Sequence, residues 1–194
     1  MKRCFIGMRI DALAKESLTA AQEELKKLQP GAARRLRPVP ADNFHATIKF
    51  LGATADNELP GLVAALAQVA SALSPTPATL EGFGAFPSVS RPRAIFAALG
   101  QGRGFLVDLT DRVELACAGL NFPKEERARV PHVTVARVEQ ARVRGPLTDW
   151  LHAAPVTLLG HVDTTTLVLY ESQRGEPHSR YVPLAELTLG RSPS

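Results

Sequence analysis

Two short stretches of the chain alternate apolar and polar residues with a period of two, the signature of a strand with one face against a core. In 44–51 (FHATIKFL), Phe44, Ala46, Ile48 and Phe50 fall on one side and His45, Thr47 and Lys49 on the other. In 131–138 (PHVTVARV), His132, Thr134 and Ala136 share a side opposite Val133 and Val135. Elsewhere the period changes. Leu18, Ala21, Leu25 and Leu28 recur at steps of three and four, which predicts an amphipathic helix over 12–28 with Asp11 as its cap and Pro30-Gly31 as its stop. Further helices are predicted over 57–73, 104–118 and 146–152, the last containing the only Trp, Trp150. Strands are expected at 3–10, 77–86, 93–99, 154–159, 162–171 and 180–184. Strands and helices in this irregular order predict an α+β fold, not a βαβ series.

The 194 residues suit one sizeable domain or two small lobes sharing an interface, and no composition shift marks a linker. Hydrophobic residues at 45% and charged residues at 22% exclude a disordered chain. The apolar stretch before Arg9 is five residues long, too short for the core of a secretion signal, and no run approaches a membrane span. Cys4 and Cys117 cannot form a disulfide framework and read as small buried hydrophobes of a reducing cytoplasm. No long apolar surface stripe demands a partner, so a monomer is expected. The net charge is +4, and 17 of the 23 cations are Arg, the side chain best shaped to grip phosphate. A GC-rich genome would also favour Arg, so charge alone permits a nucleotide or nucleic-acid ligand without requiring one.

The two alternating strands share more than a period. His45-Ala46-Thr47-Ile48 and His132-Val133-Thr134-Val135 both read His-x-Thr-hydrophobic, 87 residues apart, each preceded by helix-rich sequence. The pattern suggests a duplicated lobe. Period-two spacing projects an imidazole and a hydroxyl from one face, with Cα atoms about 6–7 Å apart. Two such units facing each other suit in-line displacement at phosphorus. One imidazole takes a proton from water, the other protonates the departing alkoxide, and the hydroxyls hold non-bridging oxygens. No metal is needed for this, and the sequence contains no HExxH, HxH or Asp/His cluster at ligand spacing.

With these segments the chain resembles the 2H phosphoesterase superfamily, and within it the bacterial and archaeal RNA 2′,3′-cyclic phosphodiesterases, also called 2′-5′ RNA ligases. The resemblance rests on residues 43–52 (NFHATIKFLG) and 131–137 (PHVTVAR). It extends to Phe5-Ile6, Phe86-Pro87, Arg91-Pro92-Arg93 and Tyr181-Val182-Pro183-Leu184, and so covers essentially the whole chain, 1–194. It implies a bilobal fold with two pseudo-symmetric antiparallel sheets, flanking helices and a central cleft. It implies hydrolysis of a terminal 2′,3′-cyclic phosphate on RNA to a 2′-phosphomonoester, without cofactor, and a possible reverse joining of RNA through a 2′-5′ linkage. Carried over, His45 is the proton donor to the leaving 3′ oxygen, His132 is the acceptor that activates water, and Thr47 and Thr134 contact the phosphate. Arg137 matches an arginine that often follows the second motif, although strand parity points it away from the cleft unless the strand bulges. Lys49, by contrast, shares the His45 face and is a candidate phosphate contact. Arg91 and Arg93 flank a turn and either line the cleft or meet solvent. His152, His161 and His178 lack a Thr partner and read as structural or surface residues. An RNA-binding module, a metal-dependent hydrolase and an enzyme for another small cyclic phosphate are the competing readings.

Overall fold

The computed structural model describes residues 1–28, 36–125, 130–138, 146–176 and 178–190. Pro30, Gly31, Arg34 and Arg35, read above as the end of a helix and a basic loop, lie outside the described residues. The elements run β1 (Lys2–Met8), α1 (Ala12–Lys27), β2 (Leu36–Pro38), a 3-10 turn (Ala41–Asn43), β3 (Ala46–Thr54), α2 (Leu59–Ser71), β4 (Ala78–Phe86) and β5 (Ala94–Leu99). They continue α3 (Arg103–Ala118), β6 (His132–Val138), α4 (Pro146–Ala153), β7 (Leu158–Val162), β8 (Thr166–Gln173) and β9 (Arg180–Thr188). The α+β reading holds.

All the sheet pairings are antiparallel, in the order β7-β4-β5-β6-β3-β1-β8-β9, with β2 also pairing with β6. The two sheets that the resemblance implies are therefore halves of one sheet. They meet where β3 and β6 share a single pairing, Ala46 with Val133. One half is β3-β1-β8-β9 and the other β7-β4-β5-β6, so the two motif strands occupy matched inner positions.

The helices cross over between the halves. α1 follows β1 but packs on β7 and β6, whereas α3 follows β5 but packs on β3 and on α2. Their apolar faces supply Ala14 and Leu18 from α1, and Leu106, Leu109 and Val113 from α3. These pack with Ile6, Met8, Ile48, Leu80 and Val133 in one buried cluster. Apolar burial of this kind contributes about 25 cal/mol per Å² removed from water. It fixes which side of the sheet is covered and leaves the other side available for chemistry.

One local reading changes and another is realised in detail. The expected strand at 154–159 is displaced to 158–162, because Asp163 Oδ1 accepts from the Thr165 backbone N–H at 3.0 Å and closes a turn inside the Thr-rich run. The 3.6-period signal of α1 is realised with its cap, Asp11 Oδ1 accepting from Ala14 N at 2.7 Å. Gly160 of β7 lies against this first turn with φ +137°, and a Cβ there would stand 2.4 Å from Ala14 N. Gly160→Ala should therefore cost about 2 kcal/mol or more, through backbone strain and loss of the α1–β7 contact. Urea denaturation measures this, and an unchanged midpoint would show that the close approach is not needed.

Candidate active site

The histidines owe their placement to the seam between the halves. Ala46 and Val133, 1% and 0% exposed, point into the core. In an antiparallel pair the residues on either side of that contact face the opposite way. His45 then stands opposite Thr134, and Thr47 opposite His132, on the uncovered face. The two histidines occupy a diagonal of this square, which regular antiparallel geometry sets at about 7–8 Å.

Each ring is anchored in the same manner. His45 Nδ1 lies 2.7 Å from the Asn43 carbonyl, and His132 Nδ1 lies 2.7 Å from the Val130 carbonyl, in both cases two residues upstream. A carbonyl only accepts, so both rings carry hydrogen on Nδ1 and keep Nε2 for chemistry. Thr47 Oγ1 lies 2.9 Å from His45 Nε2 and donates to it while that ring is neutral.

Beyond each threonine the strand bulges. In β3 the register moves from Gly7–Thr47 to Ile6–Lys49, leaving Ile48 unpaired. In β6 it moves from Phe96–Thr134 to Ile95–Ala136, leaving Val135 unpaired. A bulged residue and its neighbour both turn inward, and parity reverses afterwards. Ile48 and Lys49 are buried, as are Val135 and Ala136. The fifth residue after each histidine returns to the open face, Phe50 in one half and Arg137 in the other. Both are exposed, Phe50 at 61%.

Two expectations are corrected by these bulges. Lys49 is not beside Thr47: it is 1% exposed and paired with Glu114 of α3. Phe50 is not in the core. The parity objection to Arg137 is also removed, because the strand does bulge.

Aromatic rings frame both imidazoles. Phe5 lies 4.7 Å from His45 between centroids, and Tyr181 meets it edge-on at 5.2 Å and 89°. Phe86 meets His132 at 4.9 Å and 71°, with Phe96 at 5.2 Å. Gly7 makes room for the first group, since a Cβ there would lie 3.3 Å from the His45 ring and 3.0 Å from the Ala46 carbonyl. Phe5, Phe86 and Tyr181 belong to the segments that carry the resemblance, but sequence reasoning gave none of them a place beside a histidine, and it missed Phe96 and Phe50 as site residues. The signal for Phe50 is the shared spacing of five from a motif histidine.

Burial pushes His45 down to about 4, against the Asn43 hydrogen bond that raises it and with added repulsion from His132 and Arg137. Burial likewise lowers His132, opposed by the Val130 hydrogen bond and reinforced by Arg137. Arg137 therefore acts on both rings. Arg91 and Arg93 are exposed at the turn before β5, and His161 bonds Asp11 at 2.8 Å at the start of α1. Among the described residues no group of three His, Cys, Asp or Glu could hold a metal ion, and no helix is long and apolar enough to cross a membrane.

In the free protein the ring nitrogens of His45 should stay neutral down to about pH 4, with hydrogen on Nδ1. An NMR titration of the imidazole 15N shifts checks this, and a midpoint at the ordinary 6.5 would contradict the burial argument.

The chain and its fold have known relatives. The family described as LigT-like phosphoesterase matches residues 10–96. An RNA 2′,3′-cyclic phosphodiesterase of Aeropyrum pernix is 30% identical over 137 residues, 71% of this chain and 77% of that protein. A Thermus thermophilus protein of the same description is 33% identical over 139 residues, 69% of each chain. Among solved structures, TT0787 of Thermus thermophilus superposes with a TM-score of 0.78 at 25% identity, over 97% of this chain and 98% of that one. Escherichia coli LigT complexed with 3′-AMP shares the fold, with a TM-score of 0.75 at 23% identity over 98% and 99% of the two chains. At this identity and coverage, the chain belongs to the LigT-like phosphoesterases of the 2H superfamily.

Proposed function

We propose that this chain is an RNA 2′,3′-cyclic phosphodiesterase that opens the cyclic phosphate to a 2′-phosphomonoester by two-histidine acid–base catalysis. The observation that carries the reading is the square of His45, Thr134, Thr47 and His132 around the Ala46–Val133 contact, with each ring anchored through Nδ1. Relatives described as enzymes of this activity support the substrate class.

His132 Nε2 accepts a proton from water as its oxygen forms a bond to phosphorus. The bond from phosphorus to the 3′ oxygen breaks, and that oxygen takes the proton on His45 Nε2. His45 enters the reaction as imidazolium. Its proton is disfavoured in the empty site, and the anionic cyclic phosphate favours it by placing a negative charge beside the ring. Protonation of Nε2 also ends its acceptance from Thr47, freeing that hydroxyl to donate to a non-bridging oxygen alongside Thr134. Arg137, on the same face, stabilises charge on the pentacoordinate transition state. Solvent exchange then returns both rings to their starting states. With a ribose 5′-hydroxyl in place of water, the same steps join two RNAs through a 2′-5′ linkage.

Phe50, standing where the other half has Arg137, offers a face to a nucleobase, so the open face is cationic on one side and aromatic on the other. Base stacking on such a ring contributes about 1–3 kcal/mol.

Incubation with a short RNA ending in a 2′,3′-cyclic phosphate, in excess EDTA, should yield the 2′-phosphate alone. A 3′-phosphate product, loss of activity in EDTA, or RNA binding without turnover would each overturn the reading. His45→Ala and His132→Ala should each lower kcat by about 10² or more with the fold intact by circular dichroism. Phe50→Ala should raise KM for RNA about fivefold or more while leaving kcat within about threefold. A KM that does not move would remove Phe50 from substrate binding.

A further inference from the structure

β2 is three residues long, yet it sets a second arginine beside Arg137. Leu36 pairs with Val138, Arg37 with Arg137 and Pro38 with Ala136. Leu36 and Val138 pack with Leu25 of α1 on the covered side, so Arg37 and Arg137, the next pair, share the open face. Both are exposed. Directly paired side chains stand about 4.5–5.5 Å apart at Cβ. On its other flank Arg137 pairs with Ala94, whose methyl is too short to cover a guanidinium. β2 is held in this place from behind. Gln22 of α1, 7% exposed, donates to the Val39 carbonyl at 2.8 Å and to the Val135 carbonyl at 2.7 Å. The Val39 N–H donates to the same Val135 carbonyl at 2.9 Å. A buried amide joined to both segments clamps β2 at the bulge of β6.

Arg137 lowers the basicity of both imidazoles, so its charge lies within reach of a phosphate between them. β2 and β3 pair with the same edge of β6, while β5 takes the other, so Arg37 stands at the end of the seam on the side of His45. Directly opposed cations of themselves weaken a strand pair, and an anion between them offsets this. A guanidinium fork also matches two oxygens of one phosphate. In RNA, the nucleotide that ends in a cyclic phosphate is joined through its 5′ oxygen to a phosphodiester, the nearest other anion of the substrate. We propose that Arg37 is a substrate-binding residue that takes this phosphodiester, and so makes the site prefer an RNA end to a free nucleoside 2′,3′-cyclic phosphate. The inference rests on the phosphodiesterase reading above and adds to it a subsite for the chain that precedes the reacting end.

The test compares adenosine 2′,3′-cyclic phosphate with the same compound carrying a 5′-phosphate, which adds the anion without a second base. The natural protein should favour the 5′-phosphorylated form by about tenfold or more in kcat/KM, the size of a charge-assisted contact. Arg37 is exposed, so Arg37→Gln should fold as the natural protein does, and it should bring that ratio to within about twofold of one. No preference in the natural protein, or a ratio that survives the substitution, would overturn the proposal. A variant that slows both compounds equally keeps the ratio and overturns it too. If the natural protein hydrolyses neither compound, the phosphodiesterase reading fails and binding decides Arg37. Adenosine 2′,5′-bisphosphate should then bind about tenfold more tightly than adenosine 2′-phosphate by calorimetry, and Arg37→Gln should remove the difference. Equal affinities, no binding of either, or a difference that persists in the variant would overturn the proposal.

Discussion

Everything at this site depends on how little the two motif strands touch. β3 and β6 pair at Ala46 and Val133 and then separate, each with a bulge immediately after its threonine. The single contact brings the four candidate side chains to one face, and the bulges decide what stands beyond them. A continuous ladder would keep strict alternation and send the fifth residue after each histidine to the core. The bulges put Arg137 and Phe50 on the open face and turn Lys49 away from it. Crossed helices hold the arrangement from behind, α1 on the half that contains His132 and α3 on the half that leads to His45.

The same arrangement sets the electrostatics. Rings close to both imidazoles exclude water, so each histidine sheds its proton more readily than it would in solvent. This suits the proposed role of His132 as base, which must be neutral to take a proton, and opposes the proposed role of His45 as acid, which must hold one. On that proposal an anion between the rings resolves the conflict by favouring the imidazolium only when substrate is present. In the empty site the cost of charging His45 falls on the folded state alone. Its contribution to stability therefore declines as pH falls from 6.5 toward 4, the window in which the unfolded chain binds the proton first.

The sequence made the strands and the repeated motif legible because alternation and helical spacing are local. The 12–28 helix, the two His-x-Thr strands and the α+β class all came from such spacing and agree with the structure. Lys49 and Phe50 were misplaced because a bulge adds one residue without leaving a compositional mark, and every parity argument beyond it inverts. The strand displaced to Leu158–Val162 was misread for a related reason, since β-branched Thr164–Thr166 favour a strand while the Asp163 side chain stabilises a turn. The aromatic frame of Phe5, Tyr181, Phe86 and Phe96 is assembled from four strands, and no local pattern joins residues so far apart.

The central claim is that two half-buried histidines of depressed basicity divide the work of acid and base. The pH dependence of kcat/KM on an RNA 2′,3′-cyclic phosphate tests it most directly, because that ratio reports ionisations of the free enzyme. The account gives a bell whose maximum lies on the acid side of pH 6.5, between the depressed values of His45 and His132. In kcat, measured on the complex, the falling limb should move to higher pH as bound phosphate restores the proton on His45. A profile flat from about pH 5 to 9, or one unchanged between kcat and kcat/KM, would contradict it.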